Sequence, residues 1–467
     1  MQLLFFYNCF AVSIPFAFNL SPFAFNLSPL ASNFKYFYLS SCQCDKFLLP
    51  LRQLLKFVMK KSILLFITVI LCVASSWACT SFIISGEATP TGRPMMFKHR
   101  DTGELNNRIA HFRGPKYTFI GLVNSPSLDG EVWAGMNQAG FCIMNTASYN
   151  LREDNLKCKM DREGELMYKA LGLCATLADF EAWLATYPQP WGVEANFGVI
   201  DAQGGAAYYE MNNHRWIKYD VNAEASGYRV VTNFSFAGRQ AEYKGWERYL
   251  TALAIMKEAF SPTQQMSATE AINLFSRQYR HELLGVNYNP QNAPQYIVDQ
   301  DYIPRRITSS VVVFEGVTQP QNADQTLMWT VLGYPACAVA IPIVMHPDHI
   351  PAYMQARDLS ATSGPTLHSE ICDIAMLIKN KWIFPLKNSN GKYYVALQNV
   401  LSSTTDRPSI MHCTHLAEQS VINAFTPLYA SWIQGQITNE AFYASYDQLA
   451  TRWLQVYKSA FSTYLTK

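Results

Sequence analysis

The sequence predicts an α+β fold built of packed layers, and three observations lead to this prediction. Short runs rich in β-branched and aromatic residues, separated by turns that contain glycine or proline, recur between residues 80 and 344, as antiparallel strands do. Blocks with helical periodicity interrupt these runs at 163–187 and 246–284. Hydrophobic residues make up 49% of the 467-residue chain, which is enough to bury a large core.

In the first half of this pattern, predicted strands precede a helical block, and further strands follow it. Strands are predicted at 80–85, 92–101 and 117–122, and the runs 131–137 and 141–148 form a hairpin. The helical block has an apolar stripe that comprises Leu166, Ala170, Leu173, Leu177 and Leu184. Further strands are predicted at 196–201, 206–212, 214–220 and 228–234, with a turn at Gly204 and Gly205.

The second half adds helices and three more strands. Ser267 stands three residues before Glu270, which is the form of a capping box at a helix start. Strands are predicted at 307–316, 326–333 and 337–344. From about residue 418 the pattern is that of an amphipathic helix, whose expected core residues are Phe425, Leu428, Trp432, Phe442, Leu449, Trp453 and Tyr457.

The charge of the chain argues against a nucleic-acid partner. It has 37 basic and 35 acidic residues, a formal net charge of +2 and no basic run, whereas a nucleic-acid surface needs clustered Lys and Arg. No phosphate-binding glycine loop or dinucleotide fingerprint is present in the sequence. We therefore expect a small-molecule partner and no cofactor, and a homo-oligomer is compatible with the sequence.

Residues 59–78 have the pattern of a secretory signal peptide. Lys60 and Lys61 precede the apolar stretch 62–73, and the small residues Ser76 and Ala78 follow it. Because this stretch is too short to span a bilayer stably, no membrane span is expected after cleavage. The sequence thus predicts an exported protein, periplasmic or secreted, that begins at Cys79.

Residues 1–58 differ from the rest of the chain. They contain the direct repeat FAFNLSP at 16–22 and 23–29, and no helical or strand period runs through them. We interpret them as upstream sequence translated in frame ahead of a start at Met59. A genuine targeting extension is the alternative interpretation.

An N-terminal cysteine can act as a nucleophile without a separate base. The thiolate is the reactive form, and an ordinary cysteine has a pKa of about 8.5. A free α-amino group has a pKa of about 7.7–8.0 and can take the thiol proton near neutrality. From Cys79 onward the chain has an odd number of cysteines, so at least one is unpaired and disulfides among the other six are possible.

Two other functions are also compatible with parts of the sequence. A cysteine directly after a signal peptide can accept a lipid, which would make the protein a non-catalytic lipoprotein that binds a ligand. That modification favours a small residue two positions before the cysteine, and Trp77 stands there. A metal hydrolase could use the H-x-x-H pairs at 346–349 and 412–415, but neither has the H-E-x-x-H form, so loop or core histidines are favoured.

Several motifs resemble one family. The run CTSF at 79–82 and the strand ending in FKHRD at 97–101 resemble the choloylglycine-hydrolase type of N-terminal-nucleophile hydrolases, particularly the penicillin acyltransferase-like branch. The run GMNQAGF at 135–141 is similar to the family's G-x-N-E-x-G-L hairpin. Segments 196–210 and 231–234 continue the likeness in the family's order, and the C-terminal half matches more loosely, chiefly at 327–342.

The resemblance implies a fold and a reaction for residues 79–467. The fold is a four-layer αββα sandwich of two antiparallel sheets with outer helices, a helical C-terminal segment, and Cys79 beginning a strand at the edge. The reaction is hydrolysis of a linear, non-peptide or short amide C–N bond through an acyl-thioester on Cys79. An amine in place of water would make the enzyme an acyltransferase, and both alternatives remain open.

The resemblance also implies roles for individual residues. Cys79 would supply the nucleophilic thiolate and the basic amine, and Asp101 would hold the resulting α-ammonium group. Asn233 would donate its side-chain amide to the developing oxyanion, with Asn145 as a second donor.

Charged residues near these positions would tune the site. Arg248 matches an arginine that favours the thiolate, with Arg239 as a competing match. Lys98 stands three residues before Asp101, where bile-salt-cleaving members carry arginine, and we expect it to act together with Arg100. This departure disfavours a bile-salt substrate. Asn137 is either a site residue or a hairpin turn residue.

Overall fold

The computed structural model of the protein describes residues 79–89, 91–127, 130–152, 158–260, 266–356 and 367–466. The predicted upstream segment 1–58 and the predicted signal peptide 59–78 lie outside these residues. No helix in the described ranges combines the length and the apolar character that a membrane crossing needs.

The described residues form seventeen strands and nine α-helices. The strands are β1 (Thr80–Ile84), β2 (Met95–Asp101), β3 (Asn107–Arg113), β4 (Thr118–Asn124), β5 (Ala134–Asn137), β6 (Cys142–Ala147), β7 (Ala195–Ile200), β8 (Ala206–Met211), β9 (Trp216–Asp220), β10 (Tyr228–Val231), β11 (Arg280–His281), β12 (Val286–Asn287), β13 (Ile297–Val298), β14 (Thr308–Glu315), β15 (Leu327–Leu332), β16 (Ile341–Val344) and β17 (Tyr394–Val395). The helices are α1 (Glu163–Leu173), α2 (Leu177–Thr186), α3 (Trp246–Ala259), α4 (Ala268–Ser276), α5 (Glu370–Ile378), α6 (Leu397–Leu401), α7 (Ile410–Ile433), α8 (Asn439–Ala460) and α9 (Ser462–Leu465).

Two large antiparallel sheets contain most of the strands. The first has six strands in the order β10-β1-β2-β14-β15-β16, and the second runs β3 to β9 in sequence order. The short pairs β11–β12 and β13–β17 lie apart from them. The second sheet is a simple meander, whereas the first brings together strands that lie far apart in the sequence.

The two sheets pack face to face because side chains alternate along each strand. Ser81 of β1 points toward the second sheet, where its Oγ lies 2.8 Å from Oγ1 of Thr146. Phe82 points the other way and packs against Phe275 of α4, with ring centroids 4.7 Å apart. Helices α3 and α4 cover the outer face of the first sheet, and α1 covers that of the second. The predicted αββα sandwich is confirmed.

Four predicted elements differ from the structure. Strand β1 is not at the edge of its sheet, because β10 pairs along its free side. The helical block 163–187 breaks after Leu173, where Thr176 and Asp179 form a second capping box that begins α2. The strand predicted at 337–344 begins only at Ile341, and the C-terminal helices begin at Ile410 rather than at about 418.

Other predicted features are confirmed. The capping box of Ser267 and Glu270 is present and begins α4. The predicted helical block 246–284 therefore contains two separate helices, α3 and α4. Of the seven expected core residues near the C-terminus, five are buried and two, Leu428 and Leu449, are half-buried. Strand β3 had no counterpart in the sequence-based prediction.

Candidate active site

Cys79 lies at the start of the central strands of the first sheet. Strand β1 pairs with β10 on one side and β2 on the other, with Ser81 opposite both Val231 and Lys98. This register carries Cys79 to the level of Arg100 on β2 and of the residues just after β10. Cys79 is 6% exposed, so its surroundings are largely protein.

The alternation of β2 divides its charged residues between two faces. Lys98 reaches into the space between the sheets, where its Nζ donates to the carbonyl oxygen of Trp133 and to Oδ1 of Asn145 at 2.7 Å. His99 points to the helical side, where Nδ1 lies 2.9 Å from Oγ of Ser276. The side chains of Lys98 and His99 therefore lie on opposite faces of the sheet.

Arg248 holds the backbone of Cys79 in place. Its guanidinium donates to the Cys79 carbonyl oxygen at 2.6 Å, to Oγ1 of Thr80 at 3.1 Å and to Oδ1 of Asn233 at 2.7 Å. Arg248 lies in the first turn of α3, three residues after Gly245, which has φ +75°. A Cβ at Gly245 would lie 2.2 Å from the Arg248 guanidinium, so this glycine leaves room for the arginine.

Asn233 contacts the backbone nitrogen of Cys79. The N–H group of Cys79 donates to Oδ1 of Asn233 at 2.8 Å. The amide nitrogen of Asn233 donates to the carbonyl oxygen of Ala147 at 2.8 Å. The nitrogen of Cys79 would be its α-amino group after cleavage at Ala78, so Asn233 lies where it can bind that group.

Asn145 is the other predicted oxyanion donor. Its Oδ1 accepts the hydrogen bond from Lys98, which orients the side chain with its amide nitrogen turned away from that lysine. The amide nitrogen makes no hydrogen bond with the described residues, and the residue is nearly buried. It is thus a donor that a bound substrate can use.

Asp101 is bound by residues other than Cys79. Oδ2 accepts two hydrogen bonds from Arg305, the shorter at 2.7 Å, and Oδ1 accepts one from Thr308 at 2.7 Å. Nε2 of His99 lies 3.2 Å from Oδ1. Burial alone would raise the pKa of Asp101, but Arg305 and His99 outweigh it and lower the pKa to about 2.

Three cations surround Cys79. Burial, the largest effect, lowers the pKa of Lys98 to about 7 and those of Arg100 and Arg248 to about 10, while the charge of a Cys79 thiolate acts in the opposite direction on each. Arg100 also stacks over the ring of Trp133 at 4.9 Å. This arrangement provides a positive environment for a thiolate.

Arg239 and Asn137 are the two residues whose roles the sequence left open, and the structure shows what each of them contacts. Arg239 is exposed and pairs with Glu242, and its guanidinium also donates to the carbonyl oxygen of Arg152. Asn137 is fully occupied by the hairpin and its neighbours. Its Oδ1 accepts from two backbone N–H groups of the turn, and its amide nitrogen donates to two carbonyl oxygens of the α1 end.

A cavity of about 330 Å³ is lined by residues that contact Lys98 and Asn233. Trp133 and Asn145 accept hydrogen bonds from Lys98, Ala147 accepts one from Asn233, and Tyr149 lines the cavity beside them. The others are Ser148, Arg152, Met160, Asp161, Glu163 and Glu194. The cavity is therefore joined to the contacts of Cys79 by hydrogen bonds of Lys98 and Asn233.

The cysteines and histidines support neither a disulfide framework nor a metal centre in the described residues. All seven cysteines there are free thiols, and six of them are buried. No group of three or more His, Cys, Asp or Glu residues in the described ranges could hold a metal ion. His349 instead pairs with Asp447 and stacks on Tyr443.

Arg305 and Glu163 are not among the residues that the sequence predicted for the site. Arg305 lies before β14 and contacts Asp101 across the sheet, which no local pattern could reveal. Glu163 is the first residue of α1 and is 5% exposed. A carboxylate at a helix start usually faces solvent, so only its burial distinguishes it.

Comparisons with protein-family models and with curated proteins find no match to this chain. Among solved structures, the chain is similar to a Caenorhabditis elegans ortholog of N-acylethanolamine-hydrolyzing acid amidase, with 16% identity and a TM-score of 0.35 over 51% of this chain and 92% of that one. It is also similar to penicillin V acylase from Agrobacterium tumefaciens, with 15% identity and a TM-score of 0.36 over 57% and 86% of the two chains.

A third similar structure is a mutant of conjugated bile acid hydrolase from Clostridium perfringens, with 9% identity and a TM-score of 0.34 over 57% and 92% of the two chains.

Proposed function

We propose that this chain is an exported amide hydrolase whose nucleophile is Cys79, exposed as the N-terminal residue by cleavage after Ala78. The observation that carries the proposal is the contact set of Cys79. Asn233 binds its nitrogen and Arg248 binds its carbonyl oxygen, while Lys98 and Arg100 provide positive charge around it. An ordinary core cysteine needs none of these partners.

The reaction follows from these positions. The α-amino group takes the thiol proton, and Sγ attacks the amide carbonyl carbon to form a C–S bond. The C–N bond then breaks, and the α-ammonium group returns the proton to the leaving amine. Water attacks the resulting acyl-thioester, so that the C–S bond breaks and a carboxylic acid leaves.

The hydrogen bonds support a separate role in this reaction for each of three neighbouring residues. Asn145 has an amide nitrogen free to stabilise the oxyanion, and removal of such a donor typically costs about 2.7–4 kcal/mol of barrier. Asn233 binds the nitrogen of Cys79 and is assigned to hold the α-amino group. Asp101 acts through Arg305 and His99, since its oxygens are occupied by them and by Thr308.

The first test is to produce the full chain in an exporting host and to determine its N-terminus by intact mass and sequencing. The exported protein is then treated with iodoacetamide and peptide-mapped, and hydrolysis of hexanoyl p-nitroanilide is followed by absorbance. We expect a terminus at unmodified Cys79 and an adduct on that residue. We also expect hydrolysis that is lost in Cys79→Ala and kept in Cys158→Ser, which removes the half-exposed thiol.

Other results would decide between the alternatives. A terminus elsewhere, or a lipid on Cys79, would make the catalytic assignment wrong and support the lipoprotein. Formation of N-butylhexanamide when butylamine is added would identify an acyltransferase, because the amine then replaces water in the second step. Activity in Cys79→Ala that a chelator removes would support a metal hydrolase.

A further inference from the structure

The segment that carries Asn233 lies beyond the end of a strand. Strand β10 ends at Val231, which is also the last residue of its pairing with β1. Asn233 is 1% exposed, and its Oδ1 accepts hydrogen bonds from the N–H group of Cys79 and from Arg248. Since strand pairing ends two residues earlier, other contacts must fix the backbone that directs this oxygen to Cys79.

Asn196 of β7 supplies such contacts from the second sheet. Its amide nitrogen donates to the carbonyl oxygens of Phe234 at 3.0 Å and Thr232 at 3.4 Å, which lie on either side of Asn233 in the sequence. Its Oδ1 accepts a hydrogen bond from Oγ of Ser235 at 2.6 Å. One side chain therefore binds three of the residues around Asn233.

The position of Asn196 would otherwise favour an apolar residue. Asn196 is fully buried, and it is the only residue of β7 with a polar side chain. Asparagine is mostly exposed in proteins, because a buried amide needs hydrogen-bond partners. Within the described residues, every hydrogen bond of the Asn196 side chain goes to segment 232–235. The contact with this segment therefore accounts for an asparagine at this position.

Ser235 extends the contact to the end of β6 and the loop after it. Its backbone N–H donates to Oδ1 of Asn150 at 2.8 Å, and its Oγ lies 2.9 Å from Oγ of Ser148. The amide nitrogen of Asn233 donates to the carbonyl oxygen of Ala147, the last residue of β6, at 2.8 Å. Because β6 pairs with β7, two neighbouring strands of the second sheet together fix the orientation of Asn233.

We propose that Asn196 is a positioning residue of the Cys79 site and acts on the reaction through Asn233. It holds the carbonyl groups next to Asn233, so that Oδ1 of Asn233 meets the nitrogen of Cys79 at 2.8 Å. In the reaction proposed above, on which this inference rests, that nitrogen takes the thiol proton and returns it to the leaving amine. A shift of about 1 Å in such a group can reduce the rate about 100-fold.

The test compares Asn196→Ala with Asn137→Ala in hydrolysis of hexanoyl p-nitroanilide by the full chain, produced in an exporting host. The value of kcat is referred to the folded fraction, measured by circular dichroism. Asn137 is the matched control, because it is also fully buried and its side chain bonds only to the β5–β6 hairpin and the end of α1.

We expect Asn196→Ala to lower kcat by about 10- to 100-fold and to change KM by less than about threefold. The reason is that the substrate still binds, whereas the geometry of proton transfer changes. Asn137→Ala should keep both constants within about threefold, since its hydrogen bonds lie away from Cys79.

A double-variant cycle shows whether the effect passes through Asn233. Asn233→Ala already removes the group that Asn196 is proposed to hold. Addition of Asn196→Ala should then lower kcat by less than about threefold more, whereas an independent role would multiply the two losses. Losses that multiply, or an Asn196→Ala variant with the kcat of the unaltered chain, would overturn the proposal.

Two further results separate this inference from folding and from the proposed function. If Asn196→Ala does not fold, Ser235→Ala, which removes the hydroxyl bound to Oδ1 of Asn196, should lower kcat by at least about threefold at constant KM. Unchanged kcat in that variant would overturn the proposal. A chain that gains no adduct on Cys79 and hydrolyses no amide removes the proposed function together with this inference. Hydrolysis by the unaltered chain with unchanged kcat in Asn196→Ala removes this inference alone.

Discussion

Arg248 is the residue that links the predicted nucleophile to the rest of the site. Its planar guanidinium reaches the Cys79 carbonyl oxygen, Thr80 and Asn233 at once. A lysine would keep the charge but cannot donate in three directions from a rigid plane. The position of Cys79 relative to its hydrogen-bond partners therefore depends on arginine at this position.

We expect Arg248→Lys to reduce kcat/KM for hexanoyl p-nitroanilide by about 10- to 100-fold, since hydrogen bonds to charged groups contribute about 1.5–3 kcal/mol. Arg239→Lys, at the competing arginine on the surface, should have a smaller effect. Steady-state kinetics of both variants checks the prediction. A larger loss in Arg239→Lys would mean that the Arg248 assignment is wrong.

Asp101 should make the stability of the protein sensitive to acid. Its pKa is lowered to about 2 in the folded chain, below the ordinary value of about 3.9. The unfolded state therefore binds the proton first, and the contribution present above pH 4 is lost as pH falls through 2. For this shift the contribution is about 2 kcal/mol.

The measurement is the free energy of unfolding in urea between pH 5 and pH 2. The loss over this range should be smaller by about 2 kcal/mol in Asp101→Asn than in the unaltered chain. Asp406→Asn changes an exposed carboxylate and serves as the control. Parallel curves for Asp101→Asn and the unaltered chain would contradict the prediction.

At the scale of elements, the start of α3 positions the arginine. Gly245 has a positive φ, and a Cβ at this position would collide with the guanidinium of Arg248. The same glycine therefore precedes the first turn of α3 and leaves space for a residue of the site. Gly435 has a similar φ of +70° but nothing lies within 4 Å of its Cβ position. Substitution of Gly435 therefore introduces backbone strain alone, whereas substitution of Gly245 introduces backbone strain and also displaces Arg248.

We expect Gly245→Ala and Gly435→Ala each to lower the free energy of unfolding by about 1 kcal/mol, since both place an L-residue in the left-handed region. Only Gly245→Ala should also reduce kcat/KM, by at least about tenfold, because its methyl group displaces Arg248. Chemical unfolding and kinetics of the two variants check this. Equal activity in both would show that α3 tolerates the shift.

At the scale of the whole molecule, a buried ion pair joins the C-terminal helices to the sandwich. Arg277 follows α4 and donates to both carboxylate oxygens of Glu418 on α7, at 2.9 and 2.7 Å. Arg277 also donates to the carbonyl oxygens of Pro335 and Ala338, and Glu418 accepts from the N–H of Ala340. Both side chains are almost fully buried.

We expect Glu418→Gln to lower the free energy of unfolding by about 3–5 kcal/mol, because it leaves the buried charge of Arg277 without its partner. The double variant Arg277→Met with Glu418→Leu removes both charges and should recover most of that loss. Thermal and urea unfolding measure both. A double variant less stable than Glu418→Gln would mean that the hydrogen bonds to the backbone, rather than the pair, stabilise this junction.

The local patterns of the sequence determined most of the elements. Alternating and β-branched runs predicted β1, β2 and the β5–β6 hairpin, and the Ser267 capping box predicted the start of α4, because these signals depend only on neighbouring residues. The motif around Cys79 also indicated a nucleophile and its candidate partners by residue type. What it left open was which of them contact the cysteine.

Only the tertiary structure decided those contacts. Arg248 rather than Arg239 reaches Cys79, Asn233 binds its nitrogen, and Arg305 binds Asp101 from more than 200 residues away. The non-sequential order of the first sheet places β1, β2, β10 and β14 side by side. Hydrogen bonds between side chains so distant in sequence depend on strand pairing and burial, which no local pattern encodes.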